Sequence, residues 1–460
     1  MKRGLTIIFL LAILASVFSV PVSADPDPET FIVIGENDRL PRGWEARVKA
    51  LGGRVLRTMP EIGVAVVEFS SRSQAESLSA LNGLQSVVPD LKFERIDPVQ
   101  QVALSDYGNP PSSGADDFFF DLQWGHDAIN APEAWARGAT GSGVRVAVLD
   151  EGFDMDHPDL APNINYALST SFVPGESVDY TLPDVFSHGS HVAGTIAAAD
   201  NAFGTIGVAP EAELVLVKVL SEQLGYGEFG WLIDALIYAA DQDVDVINMS
   251  LGATIDLTGA TPEELAEIWD LYGAISRATM YAHRHGVTLI TSAGNEEVNA
   301  DDPNILVLPS DAPWVIDVSA LGPLGWGLDQ STNLDEVAFF TNYGMSLIDY
   351  SAPGGNVDFD LYFNPSLQCT VAGVTSSCWA FDLVFSTGAG GWYWAAGTSQ
   401  AAPHVSGLAA IIISEAGGSM APNRVAFWLG LTADDLGPRG KDAFYGWGRI
   451  NAEKFMKWYR

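Results

Sequence analysis

Residues 144–150 read Val-Arg-Val-Ala-Val-Leu-Asp, a mainly apolar, β-branched run that ends in a carboxylate. Similar short apolar runs occur at 214–220, 244–251 and 287–292. Helical patterns separate these runs, at 191–199, 231–240 and 262–285. Apolar strands that alternate with helices are typical of α/β proteins, in which a mostly parallel sheet carries helices on both faces. The sequence therefore predicts this fold class, with the functional residues at the carboxyl ends of the strands.

The composition of the chain narrows the possible functions. The 460 residues include 23 Lys and Arg against 58 Asp and Glu, a formal net charge of −35. A hydrophobic share of 47% and a charged share of only 18% indicate a globular protein with a large core. The acidic excess argues against nucleic acid and anionic membrane surfaces, because both are bound through Lys and Arg. Two cysteines are too few for a disulfide scaffold or a cysteine-rich zinc module.

The first residues have the pattern of an export signal. Met1-Lys-Arg is followed by an apolar run over 5–20 and by small residues at Val22 and Ala24. A run of about 16 residues is short for a membrane span. We expect a signal peptide at 1–24 whose removal leaves a secreted, extracellular protein, with an uncleaved anchor as the alternative.

Two further segments precede the main domain. Residues 30–97 show the order strand–helix–strand–strand–helix–strand, which is typical of a small ferredoxin-like α+β unit. This unit has neither His nor Cys, so we do not expect it to be catalytic. Residues 98–121 contain Asn-Pro-Pro-Ser-Ser-Gly and are predicted to be an exposed linker. The main domain is expected at 122–460.

Three polar residues stand at predicted strand ends or helix starts: Asp150, His188 and Ser399. Each alone is explained as a cap or a structural residue. Together they fit nucleophilic catalysis, because a serine hydroxyl needs a base to accept its proton, and the base needs a carboxylate to hold its tautomer. Asn295 follows the strand at 287–292 on an Ala-Gly-Asn turn and offers the amide N–H that a developing oxyanion needs.

The segments around these residues resemble the signature blocks of the subtilases, the subtilisin-like serine proteases. The blocks are Val-Ala-Val-Leu-Asp150, His188-Gly-Ser-His-Val-Ala-Gly, Ser-Ala-Gly-Asn295 and Gly-Thr-Ser399-Gln-Ala-Ala-Pro-His, and the similarity extends over about 123–452. The resemblance implies a subtilisin-like fold and a secreted serine endopeptidase. Ser399 would be the nucleophile, His188 the base and Asp150 its orienting partner. Asn295 would form the oxyanion hole with the Ser399 amide.

The same resemblance extends to substrate binding and to the N-terminal unit. Ser250-Leu251-Gly252 is similar to the strand that pairs with the substrate backbone. The segment 25–97 is similar to the family's inhibitory, fold-assisting prosegment, which implies a zymogen that cleaves itself between about 97 and 122. The partners expected are polypeptide substrates and the chain's own prosegment, with no nucleic acid, no membrane after signal removal, and a monomeric enzyme.

The resemblance also implies a structural calcium site. Many subtilases wrap a loop around Ca²⁺ after the helix of the catalytic His, and residues 199–205 have the length and the Asn of that loop. The ligands implied are Gln123, Asp159, Ala199, Asn201, Phe203 and Thr205. Oxygen ligands of this kind suit Ca²⁺, and an unliganded turn is the alternative. No catalytic cofactor is expected.

The residue after the catalytic Asp departs from the usual subtilase pattern. Glu151 stands where most members have a small hydroxyl residue. A carboxylate at this position should favour the protonated imidazole of His188. We therefore expect the acid limb of the pH–activity profile to be shifted to higher pH.

Two expansions also distinguish the chain, at 253–280 and 356–392. The second is rich in aromatic residues and forms either a wall of the substrate cleft or a packed surface lobe. It contains Cys369 and Cys378, for which we expect one disulfide in an exported protein, with two free thiols as the alternative.

Two rival functions remain beside the endopeptidase. The expansions could close the cleft, which would make the enzyme an exopeptidase or a dedicated processing protease. A catalytically silent peptide-binding protein on the same fold is the remoter rival, and the intact catalytic set argues against it. A panel of long and short peptides separates the first rival from an endopeptidase.

Overall fold

The computed structural model describes residues 29–94, 100–102, 116–182 and 186–459. The expected signal peptide at 1–24 and most of the expected linker lie outside these residues. In the described part of the chain, no helix combines the length and the apolar character needed to cross a lipid bilayer. Two units are present, which we call the N-terminal unit (residues 29–94) and the main domain (from residue 116).

The N-terminal unit is a four-stranded antiparallel sheet with two helices on one face. Its elements are β1 (Glu29–Gly35), α1 (Trp44–Ala50), β2 (Arg54–Met59), β3 (Val64–Phe69), α2 (Arg72–Ser79) and β4 (Leu84–Pro89). The strands lie in the order β2-β3-β1-β4. The order of elements predicted from the sequence is therefore confirmed.

Both faces of this sheet are buried, which explains its nearly continuous apolar strands. Successive side chains of a strand point to opposite faces. In β1, Phe31 and Val33 pack in the cluster that includes α1 and α2. Ile32 and Ile34 pack on the other face, in a cluster shared with the main domain. The N-terminal unit is therefore docked on the main domain through its sheet.

Two short strands leave the N-terminal unit and pair with the main domain. They are β5 (Lys92–Glu94), paired antiparallel with Tyr226–Glu228, and β6 (Gln100–Val102), paired antiparallel with residues of Gly391–Ala395. β5, at the end of the predicted unit 30–97, lies outside the four-stranded sheet. Residues 100–102 of the expected linker form a short strand, and the linker itself stays a prediction.

The main domain is built around an eight-stranded, mostly parallel sheet. Its first half contains α3 (Trp124–Ala128), α4 (Ala131–Trp135), β7 (Arg145–Asp150), β8 (Thr170–Ser171), α5 (His188–Ala197), β9 (Glu213–Lys218), β10 (Tyr226–Glu228), α6 (Phe229–Asp241), β11 (Val246–Met249), β12 (Ala253–Asp256) and α7 (Pro262–Arg284). Its second half contains β13 (Thr288–Ser292), β14 (Ile305–Leu308), β15 (Val315–Gly322), β16 (Glu336–Val337), β17 (Tyr350–Pro353), α8 (Phe359–Tyr362), β18 (Gln368–Val371), β19 (Val374–Ser377), β20 (Val384–Gly388), β21 (Gly391–Ala395), α9 (Thr398–Glu415), α10 (Pro422–Thr432) and α11 (Ala452–Trp458).

The four strands predicted from apolar runs lie side by side in this sheet, in the order β9-β7-β11-β13, and all are parallel. Leu149 pairs with Met249, and Met249 pairs with Thr291, so the strands end at one level. Helices α5 and α9 pack in the core on one face, and α6 and α7 pack in the core on the other. The predicted fold class is confirmed.

The expansion at 356–392 forms a lobe that a disulfide closes. Cys369 in β18 is bonded to Cys378, which follows β19, so the expected pairing is confirmed. The buried aromatic side chains of the lobe and its last strand are Trp379, Phe381, Phe385, Trp392, Tyr393 and Trp394. Most of the expansion is therefore packed, and its last strand, β21, leads directly into α9.

Removal of the disulfide should destabilise the lobe. The bridge spans nine positions, and a loop of this size restricts the unfolded chain enough to contribute about 2–3 kcal/mol. We expect Cys369→Ser combined with Cys378→Ser to lower the free energy of unfolding by that amount, measured by denaturant unfolding. Reduction of the unmodified protein should give the same loss, and an unchanged midpoint in both cases would contradict this role.

Candidate active site

The strands β7, β11 and β13 end at the same height, so the residues that follow them lie at one edge of the sheet. Asp150 is the last residue of β7, and Ser250 comes directly after β11. β13 ends at Ser292, and Asn295 follows on the next turn. Because β7, β11 and β13 are neighbours, these side chains lie in one small region.

The carboxylate at this edge holds a histidine. His188 is the first residue of α5, and its Nδ1 lies 2.8 Å from Oδ1 of Asp150. Both residues are buried. A carboxylate beside Nδ1 keeps the proton on that nitrogen, so Nε2 is the basic nitrogen of the ring.

Glu151 contacts the main chain of the same histidine. Its Oε1 accepts the His188 N–H at 2.6 Å, and the residue is fully buried. A carboxylate at the first turn of a helix stabilises the helix N-terminus. Glu151 therefore fixes the start of α5, and the expected shift of the acid limb stays a prediction.

Ser399, the second residue of α9, is held by reciprocal hydrogen bonds with Ser250. The Ser399 hydroxyl donates to the Ser250 carbonyl oxygen at 3.2 Å, and the Ser250 hydroxyl donates to the Ser399 carbonyl oxygen at 2.7 Å. Asn248 donates to the Ser250 hydroxyl at 3.0 Å, and Ser406 donates to Asn248 at 2.8 Å. This buried network fixes the start of α9 against the end of β11.

Asn295 presents an oriented donor with no acceptor. Its Oδ1 accepts from the N–H of Thr398 at 2.8 Å and from the Thr398 hydroxyl at 3.0 Å. Its Nδ2 is buried and makes no hydrogen bond. A buried donor of this kind costs about 1–3 kcal/mol. Such a donor is suited to an anion that is present only during a reaction.

The residue before Thr398 has to be small. A Cβ at Gly397 would lie 2.8 Å from Oε1 of Gln400 and 3.4 Å from Nδ2 of Asn295. A side chain there would therefore fill the space in front of the amide donor. The site as a whole offers a hydroxyl, a base with its carboxylate, and a donor for a negative oxygen, which is the set required for acyl transfer.

The residues predicted to bind substrate also lie at this edge. Ser250 and Leu251 are buried, and a Cβ at Gly252 would lie 2.6 Å from the Leu308 carbonyl oxygen. The sequence analysis missed a second strand of this surface, β10, although its Gly-Tyr-Gly sequence at 225–227 is a signal for close backbone approach.

β5 of the chain itself lies along β10. Phe93 of β5 is buried, and its ring centroid lies 5.0 Å from that of Phe229. A Cβ at Gly227 would lie 2.6 Å from the Phe93 ring. Phe93 also shares a hydrophobic cluster with Leu251. An apolar anchor from the N-terminal segment is therefore buried against β10 and the first residue of α6.

The residues predicted to bind calcium lie around the loop that follows α5. Thr205 donates to Oδ2 of Asp159 from its N–H at 2.8 Å and from its hydroxyl at 3.2 Å. The Ala199 N–H donates to the Asp159 carbonyl oxygen at 2.8 Å. Asn201 and Phe203 are exposed on the same loop. The loop therefore folds around Asp159.

The side chain of Gln123 is held by the main chain of Ile206. Its amide oxygen accepts the N–H of Ile206 at 3.0 Å, and its amide nitrogen donates to the Ile206 carbonyl oxygen at 2.9 Å. Gln123 therefore links its segment to Ile206, and its role as a calcium ligand stays a prediction, because the amide oxygen keeps a second lone pair.

Asp117, which the sequence analysis missed, is a further candidate ligand. Its Oδ1 accepts the Asn201 N–H at 3.1 Å, whereas its buried Oδ2 has no partner, and neither has Oδ1 of Asp159. Burial raises the pKa of Asp117 to about 6 and that of Asp159 to about 7. One carboxylate oxygen each of Asp116, Asp117 and Asp200 lie within 4.8 Å of one another. These oxygens fit a hard cation such as Ca²⁺.

Known proteins share this sequence pattern. The family model described as the Subtilase family matches residues 141–448. Subtilisin NAT from Bacillus subtilis subsp. natto is 35% identical over 339 residues, which cover 74% of this chain and 72% of the relative. The major intracellular serine protease of Bacillus subtilis (strain 168) is 35% identical over 294 residues, which cover 64% of this chain and 76% of the relative.

A solved structure shares the fold over most of the chain. It is the epidermin leader peptide processing serine protease (EpiP) from Staphylococcus aureus, with a TM-score of 0.73 and 21% sequence identity. The match covers 94% of this chain and 99% of that one. The likeness in fold therefore extends beyond the main domain into the N-terminal unit.

The donor role of Asn295 can be tested without changing its other contacts. Asn295→Asp keeps the oxygen that accepts from Thr398 but loses the N–H donor. We expect the rate at which a fluorophosphonate labels Ser399 to fall by about 10²–10³-fold, the size typical of losing one such donor. Asn299→Asp, an exposed position on the same loop, is the matched control. Equal labelling of both variants would exclude the donor role.

Proposed function

The chain belongs to the subtilase family and is a serine-type peptidase, and from this premise we propose that it is a secreted endopeptidase made as a self-processed zymogen. The catalytic part of this proposal rests mainly on the Nδ2 of Asn295, which has no hydrogen-bond partner. This atom lies beside the start of α9, on the same sheet edge as the Asp150–His188 pair. A donor kept without an acceptor supports an oxyanion hole rather than a silent binding groove.

The mechanism follows from the positions of these groups. Ser399 attacks the scissile carbonyl carbon while Nε2 of His188 accepts the hydroxyl proton, and Asp150 stabilises the charged imidazole. Asn295 and the Ser399 N–H bind the oxyanion of the tetrahedral intermediate. His188 then donates its proton to the leaving amine, which produces an acyl-enzyme. Water activated by the same His188 hydrolyses that ester.

Substrates are proposed to bind as added β-strands. The main chain of β5 pairs with Tyr226–Glu228 in the way that an extended peptide adds to a sheet edge. Main-chain pairing of this kind tolerates many side chains. The pocket that holds Phe93 beside Phe229 supports a preference for an aromatic or large apolar residue at the corresponding position of the substrate.

The N-terminal unit is proposed to be the inhibitory prosegment. Its sheet packs on α6 and α7, and polar contacts surround this core. Arg57 bridges to Asp234 at 2.8 Å, and Arg277 donates to the Gly35 and Ile62 carbonyl oxygens at 3.0 and 3.2 Å. Because β5 continues from this unit onto β10, the prosegment covers the surface that substrates need.

Secretion is supported by two independent features. The N-terminal sequence has the charged start, apolar run and small-residue site of a signal peptide. The Cys369–Cys378 disulfide is typical of proteins that fold in an oxidising compartment. Family membership alone does not decide the location, since one relative is named an intracellular protease.

A dedicated processing protease is the second candidate. The epidermin leader peptide processing protease has the same fold over 94% of this chain. The disulfide-closed lobe, through β21, lies next to α9 and so lengthens the surface that can contact a substrate. Broad cleavage of unrelated long peptides favours the endopeptidase, and cleavage of one sequence only favours the processing enzyme.

One experiment tests the proposal directly. The secreted protein is treated with a fluorophosphonate, and the labelled peptide and the new N-terminus are identified by mass spectrometry. Label on Ser399, absent from Ser399→Ala, together with an N-terminus beyond residue 94, supports an active and self-processed hydrolase. A processed chain without label supports the rival function, a catalytically silent peptide-binding protein.

Inhibition by the prosegment should weaken as the pH rises. Asp90 is buried at the contact, where its Oδ1 accepts the Gly230 N–H at 2.9 Å. Burial, and then the neighbouring Glu228, raise the pKa of Asp90 well above its usual range. In the bound prosegment Asp90 therefore holds a proton that it loses when the prosegment is released. The contribution of Asp90 to prosegment binding is complete below the usual pKa of Asp, and it is lost as the pH rises through the raised pKa.

We expect the inhibition constant of the cleaved prosegment to rise as the pH increases above the usual pKa of Asp. Asp90→Asn should flatten this dependence. Asp38→Asn is the matched control, because Asp38 also meets the main domain, at 3.1 Å from Arg277, but is exposed. A constant that does not change with pH in the unmodified protein would contradict the role of Asp90.

A calcium ion bound by Asp117, with Asp116, Asp200 and Asp159, is proposed to stabilise the loop 199–205. At a free Ca²⁺ concentration of 100 times its dissociation constant, the expected gain is about 2.7 kcal/mol. Thermal unfolding of the fluorophosphonate-labelled protein, with Ca²⁺ or with EDTA, measures it. Asp117→Asn should lose most of the gain, and Asp156→Asn, an exposed residue nearby, should keep it. An equal gain in both variants would exclude the site.

A further inference from the structure

The turn that carries Asn295, which we call the donor turn (residues 293–298), is held by a second buried asparagine. Asn342 is fully buried, and its Oδ1 accepts the N–H of Glu296 at 3.1 Å and the N–H of Val298 at 3.0 Å. Its Nδ2 donates to the Ala293 carbonyl oxygen at 3.0 Å. Asn342 therefore binds the main chain on both sides of Asn295.

The backbone of the donor turn depends on contacts of this kind. The main-chain N–H of Asn342 donates to the Gly294 carbonyl oxygen at 3.0 Å, and a Cβ at Gly294 would lie 2.2 Å from Nδ2 of Asn342. Glu297 has a left-handed φ of 58°, which residues with a side chain rarely adopt. Backbone preference alone does not keep a turn in this conformation. The direction of the Asn295 side chain therefore depends on what surrounds the turn.

Asn342 is itself tied to the central sheet. The hydroxyl of Thr341 donates to the Asn342 carbonyl oxygen at 3.1 Å and accepts the N–H of Ala320 at 3.2 Å. Ala320 belongs to β15, which pairs with β13, the strand that precedes the donor turn. Asn342 therefore fixes the donor turn relative to β15 as well as to its own strand.

An amide side chain supplies both halves of this contact, because its oxygen accepts and its nitrogen carries two donors. The oxygen of Asn342 takes two N–H groups of the donor turn, as described above. The nitrogen donates to Oε2 of Glu296 at 2.7 Å and to the Thr254 hydroxyl at 3.2 Å, in addition to the Ala293 carbonyl oxygen. The bonding capacity of the side chain is thus used almost entirely on the donor turn.

Resting on the proposed endopeptidase function, we propose that Asn342 is a positioning residue for the oxyanion, which acts by fixing the direction of the Asn295 N–H. A hydrogen bond weakens steeply when its donor is misaligned, and a donor stabilises an oxyanion best when it is in place before the reaction. Loss of Asn342 therefore slows the step that forms the oxyanion and leaves substrate binding nearly unchanged.

The test is a double-mutant cycle of four proteins: the unmodified chain, Asn342→Ala, Asn295→Ala and the variant with both changes. The prosegment of each protein is removed by a trace of affinity-tagged unmodified enzyme, which is then withdrawn, so that slow variants are also processed. The second-order rate constant for fluorophosphonate labelling of Ser399 is measured for each protein.

Asn356→Ala is the matched control for a loss of stability. Asn356 is also a buried asparagine that bonds main-chain groups, the N–H of Val357 at 2.9 Å and the carbonyl oxygen of Val337 at 3.2 Å. Neither of these groups belongs to the donor turn. This variant should keep the labelling rate of the unmodified protein, and a loss equal to that of Asn342→Ala would overturn the proposal.

We expect Asn342→Ala to lower the labelling rate about tenfold when Asn295 is present, which is less than the 10²–10³-fold typical of losing such a donor outright. In the Asn295→Ala background the same change should alter the rate by less than about twofold, because no donor is left to misplace. Equal losses in the two backgrounds would overturn the proposal, since Asn342 would then act on the fold as a whole.

A peptide p-nitroanilide gives a second readout. For Asn342→Ala, kcat should fall about tenfold while KM stays within about twofold, because the misplaced donor matters only in the transition state. A higher KM with an unchanged kcat would overturn the proposal, since it would assign Asn342 to substrate binding.

A third measurement does not depend on activity. In the Ser399→Ala background, hydrogen exchange of residues 293–298 should be faster with Asn342→Ala than with Asn356→Ala, and equal exchange would overturn the proposal. If the unmodified protein takes no label while the exchange differs, the endopeptidase function fails. The catalytic role of Asn342 fails with it, whereas its hold on the donor turn stands.

Discussion

The active site depends on the register of three parallel strands. Because β7, β11 and β13 pair residue for residue, Leu149, Met249 and Thr291 lie at one level. The next residues along the chain therefore meet at one edge of the sheet. A slip of one residue in any strand would turn its side chains to the opposite face. The apolar strands that face two layers of helices prevent this slip, so the hydrophobic core fixes the catalytic geometry.

Hydrogen bonds then transfer this geometry to α9. Ser250 binds the Ser399 main chain and side chain from the end of β11, and Asn295 binds Thr398 from the turn after β13. The proposed nucleophile is thus positioned from two strands rather than by its own helix alone. The same contacts orient the Asn295 amide with nothing to bind. Orientation before the reaction is what makes such a donor effective, because no reorganisation is needed when the oxyanion forms.

The sequence was sufficient for the features that local chemistry decides. The apolar runs identify the central strands, and a hydroxyl, an imidazole and two polar side chains at their ends identify the site. The sequence could not show which edge a short strand joins. Lys92-Phe93-Glu94 alternates in the same way whether it completes the N-terminal sheet or pairs with β10. The choice depends on the docking of two units, which is a property of the tertiary structure.

The same limit applies to the calcium loop. Gln123 and Asp117 both lie near the start of the main domain and both carry side-chain oxygens. Only the folded chain shows that the Gln123 amide is paired with Ile206 and that Oδ2 of Asp117 has no partner. Unsatisfied buried groups are therefore the more informative signal. Among the unsatisfied buried groups of the described residues, those of Asn295, Asp117 and Asp159 lie where a reaction intermediate or a ligand would supply the missing partner.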